Sequence, residues 1–226
     1  MRNKIIFLLV LLVLLSFLLK IYPPLTNDFL VNFDSIYHAR IGSYVASNGW
    51  VPATDPVMGG RPHLYPPGYH LVLGYASIAS GLPVQSLIQY ILPLLSALLV
   101  IPAFLIIRKY YDVRLAIWGA AFMAFNPIVV AQSYDSPQLF GLFLFPFIMY
   151  FLLKERYLYG GALFALCIFF NYFISFTIAA VLIVFSLAKL RKGKRESLFY
   201  SALILIIGIG LVSPWLLLSL HKSGEC

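Results

Sequence analysis

Apolar residues fill this chain in long blocks, and one long polar block breaks the pattern near the start. Positions from about Ile5 to Ile21 are almost all aliphatic or aromatic, with Arg2 and Lys4 in front of them. Further apolar blocks cover about 86–107, 115–131, 138–153, 157–171, 173–188 and 197–220. Several approach the roughly 20 residues that a helix needs to cross a bilayer. The pattern predicts an all-α polytopic membrane protein, one module over residues 1–226 with about seven transmembrane helices. A long first external loop, about 22–85, is expected to contain surface helices.

That loop has a pattern of its own. Asp34-Ser35 precedes a stretch, Ile36 to Asn48, in which Tyr37, Ile41, Tyr44 and Val45 recur at helical spacing. Gly49 is placed to stop this helix, which reads as amphipathic and lying along the membrane surface. From Trp50 to Gly68 prolines and glycines exclude regular structure and predict an extended, shaped loop. Tyr69 to Gly81 is apolar but short, and is expected to lie on the surface or dip in without crossing. Asn171-Tyr172 divides a stretch too long for one ordinary span, so a tight hairpin is expected there. Asn171 reads either as an amide that satisfies freed backbone groups or as a substrate contact.

Charge decides the orientation. If Tyr69–Gly81 is not a span, Arg2 and Lys4, then Arg108, Lys109 and Arg114, then Lys154 and Arg156, and finally Lys189, Arg191, Lys192, Lys194 and Arg195 all face the cytoplasm. Asp28, Asp34, Asp55 and Asp135 then lie outside with all the histidines, and the amino terminus is cytoplasmic. The net charge of +8 is therefore explained by topology and does not imply nucleic acid. The composition agrees, at 62% hydrophobic and 11% charged against about a quarter charged in soluble proteins. Cys167 lies inside an apolar block and Cys226 at the end, so no disulfide framework is implied. The first block lacks a small-residue cleavage site and reads as a retained helix rather than a secretory signal.

Candidate chemistry collects on the outer side. His38, His63 and His70 lie in or beside the long loop, and Asp34 and His38 share a helix face if the helix starts at Asp34. Asp34 and Asp135, from separate loops, suit a hard divalent cation that keeps some of its waters. They suit general-base chemistry equally. Asp34-Ser35 and Asp135-Ser136-Pro137 also read as helix N-caps, a role compatible with either. No HExxH, GxSxG or P-loop pattern is present.

NFDSIYHAR after the first block, DP…GRPHLYPPGYH in the loop, and NPIVVAQSYDSPQLF after the third block together resemble GT-C membrane glycosyltransferases. The likeness is strongest to the amino-terminal membrane module of archaeal oligosaccharyltransferase catalytic subunits. In that family an external aspartate in a D-x-x-Y-H-x-R-like context acts at the catalytic centre as metal ligand and acceptor activator. Asp34, Tyr37, His38 and Arg40 match it. A second acidic motif follows the family's third span, and Asp135 takes its first position, with Pro137 where a second acid is usual. The resemblance implies Asp34 and Asp135 as catalytic and metal-binding residues, with Mg2+ or Mn2+ as the cation. It implies a polyprenyl-phosphate or polyprenyl-diphosphate sugar donor, of which dolichol phosphate is one carrier, and a protein or glycan acceptor at the outer face of the cell membrane. Tyr37, His38, Arg40 and Arg61 are the candidates for donor phosphate and substrate, since guanidinium groups pair well with phosphate oxygens.

The chain lacks the family's carboxy-terminal soluble domain and its WWDYG motif. The expectation is therefore a module completed by a missing carboxy-terminal part or a partner subunit, or a relative with another acceptor. The competing classes are a truncated or non-catalytic paralogue acting as an assembly subunit, and a small-molecule or lipid transporter. A transporter is expected to carry ionisable groups at mid-membrane. The spans read as carrying essentially none, which favours chemistry at the surface.

Overall fold

The computed structural model describes residues 2–26, 33–55, 57, 59–131, 133, 137–191, 193 and 195–224. They form helices α1 (Arg2–Thr26), α2 (Phe33–Asn48), α3 (Gly68–Ser80), α4 (Val84–Tyr110), α5 (Val113–Phe125), α6 (Pro127–Ala131), α7 (Gln138–Leu153), α8 (Tyr157–Phe170), α9 (Tyr172–Leu190) and α10 (Glu196–Gly224). Among the described residues no strand forms, and Thr54 and Pro62 make an isolated antiparallel bridge. The all-helical expectation holds.

Among the described residues four helices are long and apolar enough to cross a membrane: Asn3–Thr26, Val84–Tyr110, Tyr172–Leu190 and Glu196–Leu217. They keep large apolar side chains on the outside; Phe173 and Phe176, for example, are 71% and 76% exposed. Such surfaces need a hydrocarbon neighbour. The apolar helices α5, α7 and α8 have only 13, 16 and 14 residues. At the helical rise they reach about 20–24 Å, against a hydrocarbon core of about 30 Å.

Local chemistry explains where the helices break. Pro93 lacks the N–H that would close an ordinary turn, and the turn before it, Leu87–Ile91, widens to π geometry with Leu92 N–H donating to the Leu87 carbonyl. The block expected as one segment over 115–131 is interrupted at Asn126. Pro127 forces the residue before it out of helical conformation. Asn126 Oδ1 then accepts from the backbone N–H groups of Ile128 and Val129 and starts α6. Asn171 acts likewise between α8 and α9. Its extended backbone ends one helix, and its Oδ1 accepts from Ile174 N at 3.0 Å to cap the next. The single-helix alternative for this stretch is excluded, and the capping role expected of Asn171 is present.

The chain forms two compact units. One comprises Met1–Val51 with His70–Leu139. Its core packs Val100 and Phe104 of α4 on Ala116, Ala120 and Ala124 of α5, with α1 residues such as Leu9 and Leu12 against them. The alanines recur every four residues, which lets helices approach closely. A polar brace crosses the same core. Lys20 Nζ donates to Ser16 Oγ at 2.9 Å and to the Ser96 carbonyl at 3.1 Å, while Ser16 Oγ donates to the Ala124 carbonyl. Lys20, Ser16 and Ser96 are fully buried.

The second unit comprises Pro52–Tyr69 with Phe140–Cys226. Ile148, Leu152, Phe164, Cys167, Ile178, Leu182 and Ile204 form its core. Helices α8 and α10 meet at glycines. A Cβ on Gly161 would lie 2.6 Å from Ile207, and one on Gly208 2.5 Å from Phe164. Here contact is made by removing side chains, and the polar brace of the first unit has no counterpart at this seam.

Candidate functional site

The D-x-x-Y-H-x-R stretch folds as the first two turns of α2. Gly49, with φ +80°, ends the helix by donating its N–H to the Val45 carbonyl at 2.8 Å, as its position in the sequence predicts. Ser35, His38, Ile41, Gly42 and Val45 form the buried face, and Asp34 and Arg40 are exposed. Asp34 lies inside the first turn, because the helix begins at Phe33. The expected capping role is corrected accordingly: its carboxylate accepts no backbone N–H and makes no hydrogen bond or ion pair among the described residues. It stands by the positive end of the helix dipole, where a negative charge is favoured.

The buried face of α2 rests on α3. A Cβ on Gly74 would fall 2.5 Å from the Val45 side chain and 3.0 Å from the Gly42 carbonyl, so the helices touch nearly backbone to backbone. One turn away on the same seam, His38 Nδ1 and His70 Nε2 are 2.9 Å apart. Their ring centroids are 5.1 Å apart, close to that contact plus two ring radii, so the nitrogens meet nearly head-on. One nitrogen must carry the proton and the other accept it. The Tyr37 ring lies edge-on to both imidazoles, at 5.2 Å and 5.9 Å between centroids. His38 retains 4% exposure and His70 none.

The other loop residues serve a different end. In the second unit the chain over 53–63 closes around Asp55. Its N–H donates to the Arg61 carbonyl at 2.6 Å, its carbonyl accepts from Gly60 N, and its carboxylate accepts from Val57 N at 2.9 Å. His63 Nδ1 lies 3.6 Å from Asp55 Oδ2, with both side chains nearly buried. Arg61 contributes a carbonyl to this turn and leaves its side chain exposed. Asn171 Nδ2 donates to the Tyr65 hydroxyl at 3.2 Å, tying the loop to the start of α9.

The structure thus joins Tyr37, His38 and His70, and leaves Asp34 and Arg40 presented without partners among the described residues. Asp28 and Asp135 lie outside the described residues, and with them the proposed pairing of Asp34 and Asp135. Among the described residues no group of three or more His, Cys, Asp or Glu side chains comes together. Asp34 alone does not make a divalent-cation site, so no step is routed through a metal.

Two features escaped the sequence. The pairing of His38 with His70 joins positions 32 residues apart. Lys20 is an ionisable group inside the first apolar block, contrary to the reading that the spans carry essentially none. Its signal was a single cation in an otherwise aliphatic run. No protein-family model, curated protein or solved structure matches this chain.

Proposed function

We propose that this chain is a membrane glycosyltransferase of the GT-C type, or the amino-terminal module of one. It transfers a sugar or oligosaccharide from a polyprenyl-phosphate-linked donor to an acceptor on the outer face. The observation that carries this reading is the presentation of the D-x-x-Y-H-x-R stretch. Its histidine is locked into a helix seam, while Asp34 and Arg40 are exposed and uncommitted. In this reading Asp34 orients the acceptor hydroxyl or amide, and Arg40 meets phosphate oxygens of the donor. Tyr37 is a further candidate contact on α2. Seven spans, with the amino terminus in the cytoplasm, put this loop outside. The short helices α5, α7 and α8 then cross where the bilayer thins or neighbouring segments extend them.

A transporter is the less favoured reading. Lys20 is the buried ionisable group of its span, and its amine is bonded to Ser16 and Ser96 as a brace.

The chemical test is Asp34→Asn in the complete, active assembly, with a polyprenyl-phosphate donor labelled in its sugar. Transfer should fall on the order of a hundredfold or more, and Asp135→Asn should cost less. Wild-type transfer by Asp34→Asn would reject the assignment. Orientation is checked separately by single cysteines at Thr54, Ser136 and Gly193 after Cys167 and Cys226 are replaced. An impermeant thiol reagent should label the first two in sealed cells. Labelling at position 193 would overturn the seven-span topology.

A further inference from the structure

We infer that the second unit carries a headgroup site for an aminophospholipid, a membrane lipid that joins a primary ammonium to a phosphate. The site is a cleft of about 130 Å³ where α7 ends, α9 ends and α10 begins. Its residues all belong to the second unit, and it is independent of the glycosyl-transfer reading.

Three observations point to that ligand. First, the cleft is amphiphilic and lies at the membrane boundary. Leu152, Leu153 and Phe185 form its apolar wall, while Glu155, Glu196 and Lys189 bring charge to it. Helices α9 and α10 are both long and apolar enough to cross a membrane, so the cleft at their shared end lies at headgroup depth. Second, the charges are of both signs and are not spent on one another. The Lys189 ammonium lies over the Phe185 ring, 5.3 Å from its centroid, and out of ion-pair distance of either carboxylate. Glu155 accepts from the Tyr200 hydroxyl at 3.3 Å, and Glu196 has no hydrogen bond or ion pair among the described residues. Third, Glu155 takes the left-handed conformation, φ +59°, just past the end of α7. Glycine or asparagine is the usual residue at such a helix end, so the turn itself does not select a carboxylate.

This charge pattern selects one class of headgroup. The lipid's ammonium donates to the Glu155 and Glu196 carboxylates in charge-assisted hydrogen bonds. Its phosphate meets the Lys189 ammonium, and its acyl chains continue along Leu152, Leu153 and Phe185. A choline headgroup has no N–H to donate and leaves both carboxylates unmatched. An anionic glycerol headgroup brings a phosphate but no cation, so the two carboxylates repel it from the cleft. It is drawn instead to the exposed side chains of Arg156, Arg191 and Arg195, as any anionic lipid surface is.

The test uses the purified 226-residue chain in detergent, with its thermal midpoint as the readout. Palmitoyl-oleoyl phosphatidylethanolamine is compared with phosphatidylcholine and phosphatidylglycerol of the same chains, and with water-soluble O-phosphoethanolamine. The ethanolamine lipid should raise the midpoint by about 3 °C or more, and the other three by about 1 °C at most. Glu155→Gly relaxes the left-handed turn and Glu196→Gln keeps the side chain's shape. In both, the midpoint without lipid should stay near wild type, and the ethanolamine response should drop to the choline level. Equal responses to the three lipids, a response to phosphatidylglycerol alone, or none at all would overturn the inference. A response to O-phosphoethanolamine as large as the lipid's would also overturn it, by making the ligand a soluble one. An undiminished ethanolamine response in both variants would place the lipid elsewhere and reject the site. If a variant loses stability without lipid, native mass spectrometry of its folded fraction decides instead: retained ethanolamine lipid rejects the site, and its loss relative to wild type supports it.

Discussion

Three histidines of this protein make two pairs with a buried ionisable partner, and the two pairs do different things. His63 lies 3.6 Å from the Asp55 carboxylate, in a turn that closes on itself through the Asp55–Arg61, Gly60–Asp55 and His63–Ala53 backbone bonds. Asp55 also accepts a hydrogen bond from the backbone of Val57. Its capacity is spent on holding the loop. His38 and His70 instead come from two separate helices and meet through ring nitrogens at 2.9 Å, with Asp34 exposed one turn away. The first pair fixes a backbone path. The second joins two rigid elements. A buried histidine is thus not in itself a functional signal; what its partner is committed to decides the matter.

The largest test of this contrast acts on the seam. Gly74→Val puts a side chain where Val45 and the Gly42 carbonyl already lie. Overpacking of this kind costs about 1–3 kcal/mol and should also pull His38 away from His70. Thermal unfolding and sugar transfer should therefore fall together. If stability falls while transfer per folded molecule is unchanged, the seam does not serve the site. A smaller effect is expected on the loop side. Tyr65→Phe removes the hydroxyl that accepts from Asn171, a loss of about 0.5–1.5 kcal/mol. Protease sensitivity over 52–68 should rise, and kcat should stay at the wild-type value.

Much of this architecture can be read from the sequence because its determinants are local. Gly49 ends α2, prolines and glycines leave the described residues of 50–67 without a helix, and Asn171 separates two helices, each through its own backbone chemistry or that of its neighbours. The start of α2 is one residue earlier than Asp34, which is enough to turn an expected cap into an exposed first-turn carboxylate. What the sequence hides depends on distant partners. Nothing near His38 announces His70, and nothing near Lys20 announces that Ser96, far along the chain, supplies its acceptor. The hydrophobic pattern marks which helices are apolar, yet it overstates the reach of one. Asn126-Pro127 cuts the segment read over 115–131 to 13 residues, whereas α8, at 14, is as short as the pattern over 157–171 implies.

The central claim is that the exposed carboxylate of α2 acts in transfer while the folded-in carboxylate of the loop does not. Asp34→Asn and Asp55→Asn make the same chemical change at both places, and the measurement is sugar transfer from the labelled polyprenyl-phosphate donor by each variant in the active assembly. Asp34→Asn should lose on the order of a hundredfold or more in rate with an unchanged thermal midpoint. Asp55→Asn should keep a near-wild-type rate while its midpoint falls. Equal losses of rate, or a wild-type rate in Asp34→Asn, would contradict the account.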